Sequence, residues 1–390
     1  MRVETLDVED FRNYRKAHIE LAADVNLIVG RNAQGKTNLL EAVHCLSGLG
    51  SPRGADSALV RDGCERALLH ARVVRGERHL TVDIELRPGR GTRALINKTP
   101  VSGSKALSAL TTSVFFGPDE LSLVKGSPDG RRRFLDELVV KLRPARDGLR
   151  REWERVLKQR NSLLKTAPRA RGASLSTLDV WDESLCRVGG ALTAARLEVL
   201  AGLLPYALKR YESIAGGGRL DLAYVSSWIE PEFTEGALRD PSTISEPALV
   251  DMLKSAIADI RQRELERGMS LVGPQRDDVS VLLQADADTP TMLEARTYAS
   301  QGDQRTSALG LKLAEHDLLS ERLDDRPLLL LDDVFSELDP VRRQWLGDSI
   351  RSMGQTLVSS AEPGATEAAR ASRVIEVAGG EVVEGGEAGG

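Results

Sequence analysis

Three observations predict an α/β fold interrupted by a mostly α-helical insertion. The strand-like run from Val25 to Val29 leads directly into Gly30-Arg-Asn-Ala-Gln-Gly35-Lys36-Thr37 and then into a helical pattern. From about residue 118 to 271 the apolar residues recur mainly at helical spacing. After Gly273 the α/β pattern resumes, and it contains an aliphatic run, Leu328 to Leu331, that ends in Asp332-Asp333.

Taken in order, "RVETLDVEDF" and "KAHIEL" alternate roughly as strands do, and "VNLIVG" reads as a buried strand. "TNLLEAVHCLSG" places Leu39, Leu40, Val43 and Leu46 on one helical face and stops at Gly48. Strands return from about Leu68 to Ile96. In the central block a helix starts after a Ser/Pro/Asp turn and carries Phe134, Leu135, Leu138 and Val139 as a stripe. Longer helices are expected around 146–165, 176–213 and 246–268, with "TAPRARGASLST" as a loop and "LDLAYV" as a short strand. None sustains heptads, so no long coiled coil is expected. Beyond Gly273, "VSVLLQ" reads as a strand, "QRTSALGLKLAEHDLL" as a helix, "RPLLLLDDV" as a buried strand, "DPVRRQWLGDSI" as a helix, and "GQTLVSS" and "RVIEVAG" as closing strands. The Gly/Glu-rich tail is expected to be disordered. The boundaries are therefore 1–117 and 272–378 for the α/β head, 118–271 for the insertion and 379–390 for the tail.

A chain of 390 residues with 41% hydrophobic content can build a substantial core. The net charge of −5 means that any contact with nucleic acid must come from a local patch. Cys45, Cys64 and Cys186 lack metal-ligand spacing and any disulfide framework, so a reduced, cytoplasmic setting is expected. The N-terminus lacks the apolar run of a signal peptide, and Leu328 to Leu331 is too short to cross a bilayer, so no membrane partner is expected.

The loop matches the phosphate-binding pattern G-x-x-x-x-G-K-[ST] in its required strand–loop–helix context. Backbone N–H groups through Gly30, Arg31, Asn32, Ala33, Gln34 and Gly35 can wrap a phosphate at the start of the helix. Lys36 would bring its ammonium to the outer phosphates, and Thr37 would place a hydroxyl on Mg²⁺. Asp332 stands at the carboxyl end of a strand, where nucleotides bind in α/β folds, and is placed to hold the metal. Asp333 can orient or polarise an attacking water. Ser300-Gln301-Gly302 precedes a long helix and can present a hydroxyl and N–H groups to an anion; in isolation an ordinary helix cap explains it better.

In this order the three motifs resemble those of ABC-type ATPases, where the Ser-x-Gly signature meets the γ-phosphate held by the opposite subunit. "SELD" after the acidic pair resembles the loop at their contact. The opening "VEDFRNYRKAHIEL" is similar to the SMC-like branch, whose pattern implies that Arg12 and Asn13 help hold nucleotide; a surface turn is the alternative. Further stretches ("FFGPDELSLVKGSPDGRRRFLD", "LKQRNSLLK", "WDESL", "LVGPQRDD", "SQGDQR") resemble the RecF family of bacterial recombination and gap-repair proteins, from Met1 to about Val377. Two positions depart from its pattern: Gln275 stands where a histidine is expected, and Asp303 where a glutamine is expected.

That resemblance implies an ABC-type head split by a helical lobe, ATP and Mg²⁺ as cofactors, and a homodimer closing on ATP around double-stranded or gapped DNA. It also implies slow hydrolysis as a switch, catalytic roles for Lys36, Asp333 and Ser300, and help for RecR and RecO in loading RecA. From Arg131 to Arg160 there are eleven Lys/Arg against five Asp/Glu, a surplus that can neutralise DNA phosphates or form a solvated helix face. An ABC-transporter subunit predicts a shorter head than this one, and a small-molecule P-loop kinase predicts an acceptor site instead of Ser300-Gly302. A GTPase is disfavoured because "NKTP" lacks the aspartate of N-K-x-D.

Overall fold

The computed structural model describes residues 1–54, 56–101, 103–166, 173–286, 289–362 and 369–383. The first segment runs β1 (Arg2–Phe11), β2 (Tyr14–Glu20), β3 (Val25–Val29), α1 (Lys36–Cys45), β4 (Ala67–Arg75), β5 (Arg78–Arg87), β6 (Gly91–Ile96), β7 (Thr99–Val101), α2 (Gly103–Leu110) and β8 (Ser113–Phe116). The central segment follows with α3 (Ser122–Lys125), α4 (Pro128–Leu142), α5 (Gly148–Thr166), α6 (Ala173–Ala215), β9 (Leu220–Val225), α7 (Pro231–Arg239), α8 (Glu246–Arg267), β10 (Asp278–Asp286), β11 (Thr289–Glu294) and α9 (Ala295–Tyr298). The chain closes with α10 (Gln301–Leu323), β12 (Leu328–Asp332), α11 (Pro340–Ile350), β13 (Thr356–Ser360), β14 (Arg373–Ala378) and β15 (Glu381–Val383). Two compact units result, Met1–Glu120 with Glu315–Gly390, and Leu121–Ala314.

In the first unit, one sheet has the order β15-β14-β3-β13-β12-β8 and is parallel throughout except for β15. Strands β8, β12 and β13 are buried at every position, as expected of parallel strands covered on both faces. A second, antiparallel sheet has the order β2-β1-β4-β5-β6-β7. Its strands alternate more, and Leu6, Phe11 and Leu69 join Ile28, Leu39, Leu40, Leu330 and Leu357 in one hydrophobic core. This order puts the ends of β3, β13 and β12 side by side along one carboxyl edge of the sheet.

In the second unit, helices pack around α6 and an antiparallel sheet of order β11-β10-β9. The expected return to the head near residue 272 is corrected here: β10, which holds "VSVLLQ", pairs with β9 inside the insertion, and the unit boundary falls at Ala314. Pairing partners, which periodicity does not reveal, decide the difference. The helix expected from 176 starts at Ala173, so the end of the expected loop is helical; its residues 167–172 lie outside the described residues. In the expected disordered tail, Glu381–Val383 pairs with β14, and 384–390 lie outside the described residues. Within Thr177–Ala215 one stretch is long and apolar enough to span a bilayer, yet most of it is buried inside the protein.

The insertion also buries charge. Arg160 is fully buried between Asp182 at 2.6 Å, Glu264 at 2.6 Å and the Ser270 hydroxyl at 2.7 Å. Asp277 accepts hydrogen bonds from the Tyr224 hydroxyl (2.8 Å), Ser226 Oγ (2.9 Å) and Trp228 Nε1 (3.0 Å). Burial pushes the Asp277 carboxyl up to about 6 despite these donors. A carboxyl raised on folding takes up a proton between roughly pH 4 and 6. It therefore favours the fold at the acid end of that window and loses this contribution as the pH rises through 6. Urea midpoints of wild type and Asp277→Asn, taken from pH 4.5 to 7, should shift steadily in the variant's favour, whereas a pH-independent gap would contradict the assignment.

Candidate nucleotide site

Two glycines set the path of the loop between β3 and α1. A Cβ on Gly30 would meet Val377 O of β14 at 2.3 Å. Gly35 has φ +117°, and a Cβ there would sit 2.7 Å from the Tyr14 hydroxyl and 2.8 Å from Asn13 Nδ2. Ala33 is also left-handed, at φ 64°. The loop is braced from outside: Tyr14 donates to Gly35 O (3.1 Å), Asn13 Nδ2 to Gln34 O (3.0 Å), and Gly380 N–H to Gln34 O (3.1 Å). No side chain caps α1 and its first turn carries no acid, so its leading N–H groups are suited to an anion.

Lys36 is buried and donates to the loop's own carbonyls, Gly30 O at 2.8 Å and Arg31 O at 3.0 Å. Desolvation lowers its pKa, and the charges of Asp333 and Asp332 oppose that shift. Thr37 Oγ1 reaches both Asp332 oxygens, at 2.7 and 2.9 Å. Ser359, at the end of β13, donates to Asp332 Oδ1 at 2.6 Å and accepts the Asp333 N–H at 3.0 Å. Asp333 is held left-handed at φ 52°, a position that costs about 1–3 kcal/mol for a non-glycine residue. Its Oδ1 is buried with no hydrogen-bond partner among the described residues. These hard oxygens, with one orphaned acceptor beside them, fit a divalent cation and a polarised water.

A second cluster stands behind the loop. Glu41 of α1 is fully buried and accepts from Arg12 through two bonds (2.8 and 2.7 Å), from Arg53 (2.7 Å) and from Ser51 (2.5 Å). Burial acts to raise its pKa, but Arg12, Arg53 and Ser51 together hold the carboxyl below its usual range. Arg53 also donates to Asn38 Oδ1 (2.8 Å), whose amide donates to Asn13 Oδ1 (2.7 Å). Arg12 and Asn13 are thus tied to the loop and α1 through side chains. Neither Glu41 nor Ser359 was singled out from the sequence. The available signal for Glu41 was an acid inside the apolar face of "NLLEAV"; for Ser359, a hydroxyl at the end of a buried strand.

The loop, Asp332 and Asp333 converge within one unit, and Ser300-Gln301-Gly302 belongs to the other. There Ser300 precedes α10: its hydroxyl donates to the Asp303 carboxylate (2.6 Å) and accepts the Asp303 N–H (3.2 Å). Ser300 and Gln301 are exposed. The basic surplus between Arg131 and Arg160 shrinks at the surface. Arg131, Lys141 and Arg160 are buried, and Arg131 is committed to Asp278 at 2.7 and 2.8 Å.

Comparison with known proteins places the whole chain in one family. The family described as RecF/RecN/SMC N terminal domain matches residues 2–382. The DNA replication and repair protein RecF of Streptomyces avermitilis is 44% identical over 93% of this chain and 94% of that protein. RecF of Leifsonia xyli subsp. xyli is 40% identical over 98% and 100%, respectively. A solved structure of the recombination mediator protein RecF-ATP in the RecFOR pathway superimposes with TM-score 0.86 at 27% identity, covering 98% of this chain and 96% of that one.

Glu41→Ala leaves the Arg12 and Arg53 guanidiniums without their shared anion. Because both arginines are partly exposed, at 19% and 30%, the cost should stay below the ~3–5 kcal/mol of a fully buried pair but be readily measurable. A lower denaturation midpoint is expected, and wild-type unfolding of Glu41→Ala would contradict the bracing role.

Proposed function

The chain belongs to the RecF family of SMC-like ATPases, and from that membership we propose that it binds ATP with Mg²⁺ between two copies of itself and, so closed, holds duplex or gapped DNA. The observation that carries this reading is the meeting of Thr37, Asp332 and Ser359 at one edge of the parallel sheet, beside the unpartnered Oδ1 of Asp333. The N–H groups from Gly30 to Thr37 wrap the phosphates, and Lys36 exchanges the loop carbonyls for the outer phosphates. Thr37 and Asp332 would hold Mg²⁺, which would supply positive charge to the phosphates, and Asp333 is placed to orient the attacking water. Arg12 and Asn13 support the nucleotide from behind the loop.

Ser300-Gln301-Gly302 acts on the nucleotide of the second copy, so a single copy binds ATP but hydrolyses it poorly. Before it can serve a γ-phosphate, the Ser300 hydroxyl must give up the Asp303 carboxylate, which favours slow turnover and a switch over a motor. DNA is held through its backbone by the exposed arginines of α4 and α5, with affinity that falls as salt rises. In the cytoplasm the clamp works with RecR and RecO toward RecA loading, in recombinational repair and fork restart. A transporter subunit and a small-molecule kinase are set aside by the near full-length match to RecF proteins.

Solution mass and duplex-DNA binding, with and without ATP, test the reading on wild type, Lys36→Met and Ser300→Arg. ATP-dependent dimers and DNA binding are expected in wild type alone. Normal dimerisation of Ser300→Arg would overturn the shared-site model.

A further inference from the structure

The head carries a basic surface of its own, at the hairpin of β5 and β6. Between Leu86 and Pro118 the sequence holds five Lys/Arg and no Asp/Glu, although the whole chain has a net charge of −5. Arg87 pairs with Gly91 across the hairpin, so Pro88, Gly89 and Arg90 form its tip. Gly89 and Gly91 are left-handed, at φ 71° and 75°, and a Cβ on either would meet nothing within 4 Å. Open space therefore surrounds the tip. Arg90 lies in it, Arg93 follows on β6, and both are exposed.

The carboxylates on the neighbouring strands are already matched. Asp83 pairs with His70 at 2.7 Å and Asp7 with His18 at 2.7 Å, while Glu9 stands directly opposite Lys16. Glu85 holds two arginines, Arg87 at 2.7 Å and Arg66 at 3.1 Å, and Arg87 above all keeps its carboxyl below the usual range. Arg93 stands directly opposite Glu85, so it shares that face of the sheet and adds a third guanidinium. Even counting the exposed Glu65 beside Arg66, Arg66, Arg87, Arg90 and Arg93 stand against two carboxylates. Arg90 and Arg93 themselves have no ion-pair partner among the described residues.

Such a surplus in an acidic protein is a local field that attracts an anion. The tip offers no aromatic or large aliphatic anchor of the kind that dominates protein interfaces, which favours a polyanion over a protein partner. A DNA strand presents a phosphate about every 3.4 Å of helix axis, and a two-stranded ribbon is narrow enough for a groove about 12 Å wide. We propose that the β5–β6 hairpin is a separate DNA contact, with Arg90 and Arg93 binding phosphates of a duplex. The assignment rests on the DNA-binding reading above and extends it. That reading puts the contact on α4 and α5 of the insertion, whereas this one puts the ATPase head itself on the DNA.

The test follows duplex-DNA affinity with ATP present across salt from about 50 to 200 mM, where each phosphate contact contributes about 0.9 to the slope of log affinity against log salt. Arg90→Gln combined with Arg93→Gln should lower that slope by about two, with the wild-type urea midpoint. Arg78→Gln combined with Arg322→Gln removes two other exposed arginines of the same unit and should keep the wild-type slope. If the hairpin pair proves unfolded, Arg90→Gln alone carries the test, because Arg90 lies in the turn, and the slope should then fall by about one. A hairpin variant with the wild-type slope would overturn the proposal and leave the hairpin to an acidic protein partner, with the DNA reading intact. An equal loss in the control pair would reduce the effect to net charge and overturn it too. Failure of wild type to bind duplex DNA at all would overturn the DNA-binding reading and this contact with it.

Discussion

The contact on which the head depends is the one from Thr37 Oγ1 to the Asp332 carboxylate, with Ser359 on the same carboxylate. It ties together a loop after β3, the end of β12 and the end of β13, which the chain order separates by nearly its whole length. The parallel sheet makes the meeting possible, since β13 lies between the other two strands and all three end at one edge. Once that edge exists, the glycines at 30 and 35 let the loop run close against β14 and Tyr14, and Lys36 is drawn over the loop by its carbonyls. Asp333 keeps its strained backbone because Ser359 holds its N–H.

The parts of this arrangement that depend on local spacing were legible in the sequence. The glycine loop, the aliphatic strand with its terminal aspartates and the Ser-x-Gly before a helix all appear as read. What was not legible depends on partners distant in sequence. Ser359 gives no signal until β13 is known to lie between β3 and β12. Glu41 stands out in the sequence only as an acid on an apolar helix face, and its partners Arg12 and Arg53 are not legible until the fold brings them to it. Strand β10 has the same alternating pattern whichever sheet it joins, and its pairing with β9 moved the expected boundary of the head.

Charge behaves in the same way. A sequence count treats every arginine between 131 and 160 as available, yet Arg131 and Arg160 are themselves buried and are spent on Asp278 and Glu264 within the insertion. Removing one partner from such a pair is costly, so these arginines hold the fold together and leave DNA contact to their exposed neighbours. Asp303 shows the converse: a single carboxylate at the start of α10 occupies the hydroxyl that the shared-site model needs.

The shared site is tested most directly by mixing two inactive chains. Lys36→Met lacks the loop lysine but keeps Ser300, and Ser300→Arg lacks the signature hydroxyl but keeps Lys36. Neither should turn over ATP alone, whereas a mixture should recover part of the wild-type rate, because one site in each mixed dimer is complete. A mixture as inactive as its parts, or full activity of Ser300→Arg by itself, would contradict a nucleotide held between two copies.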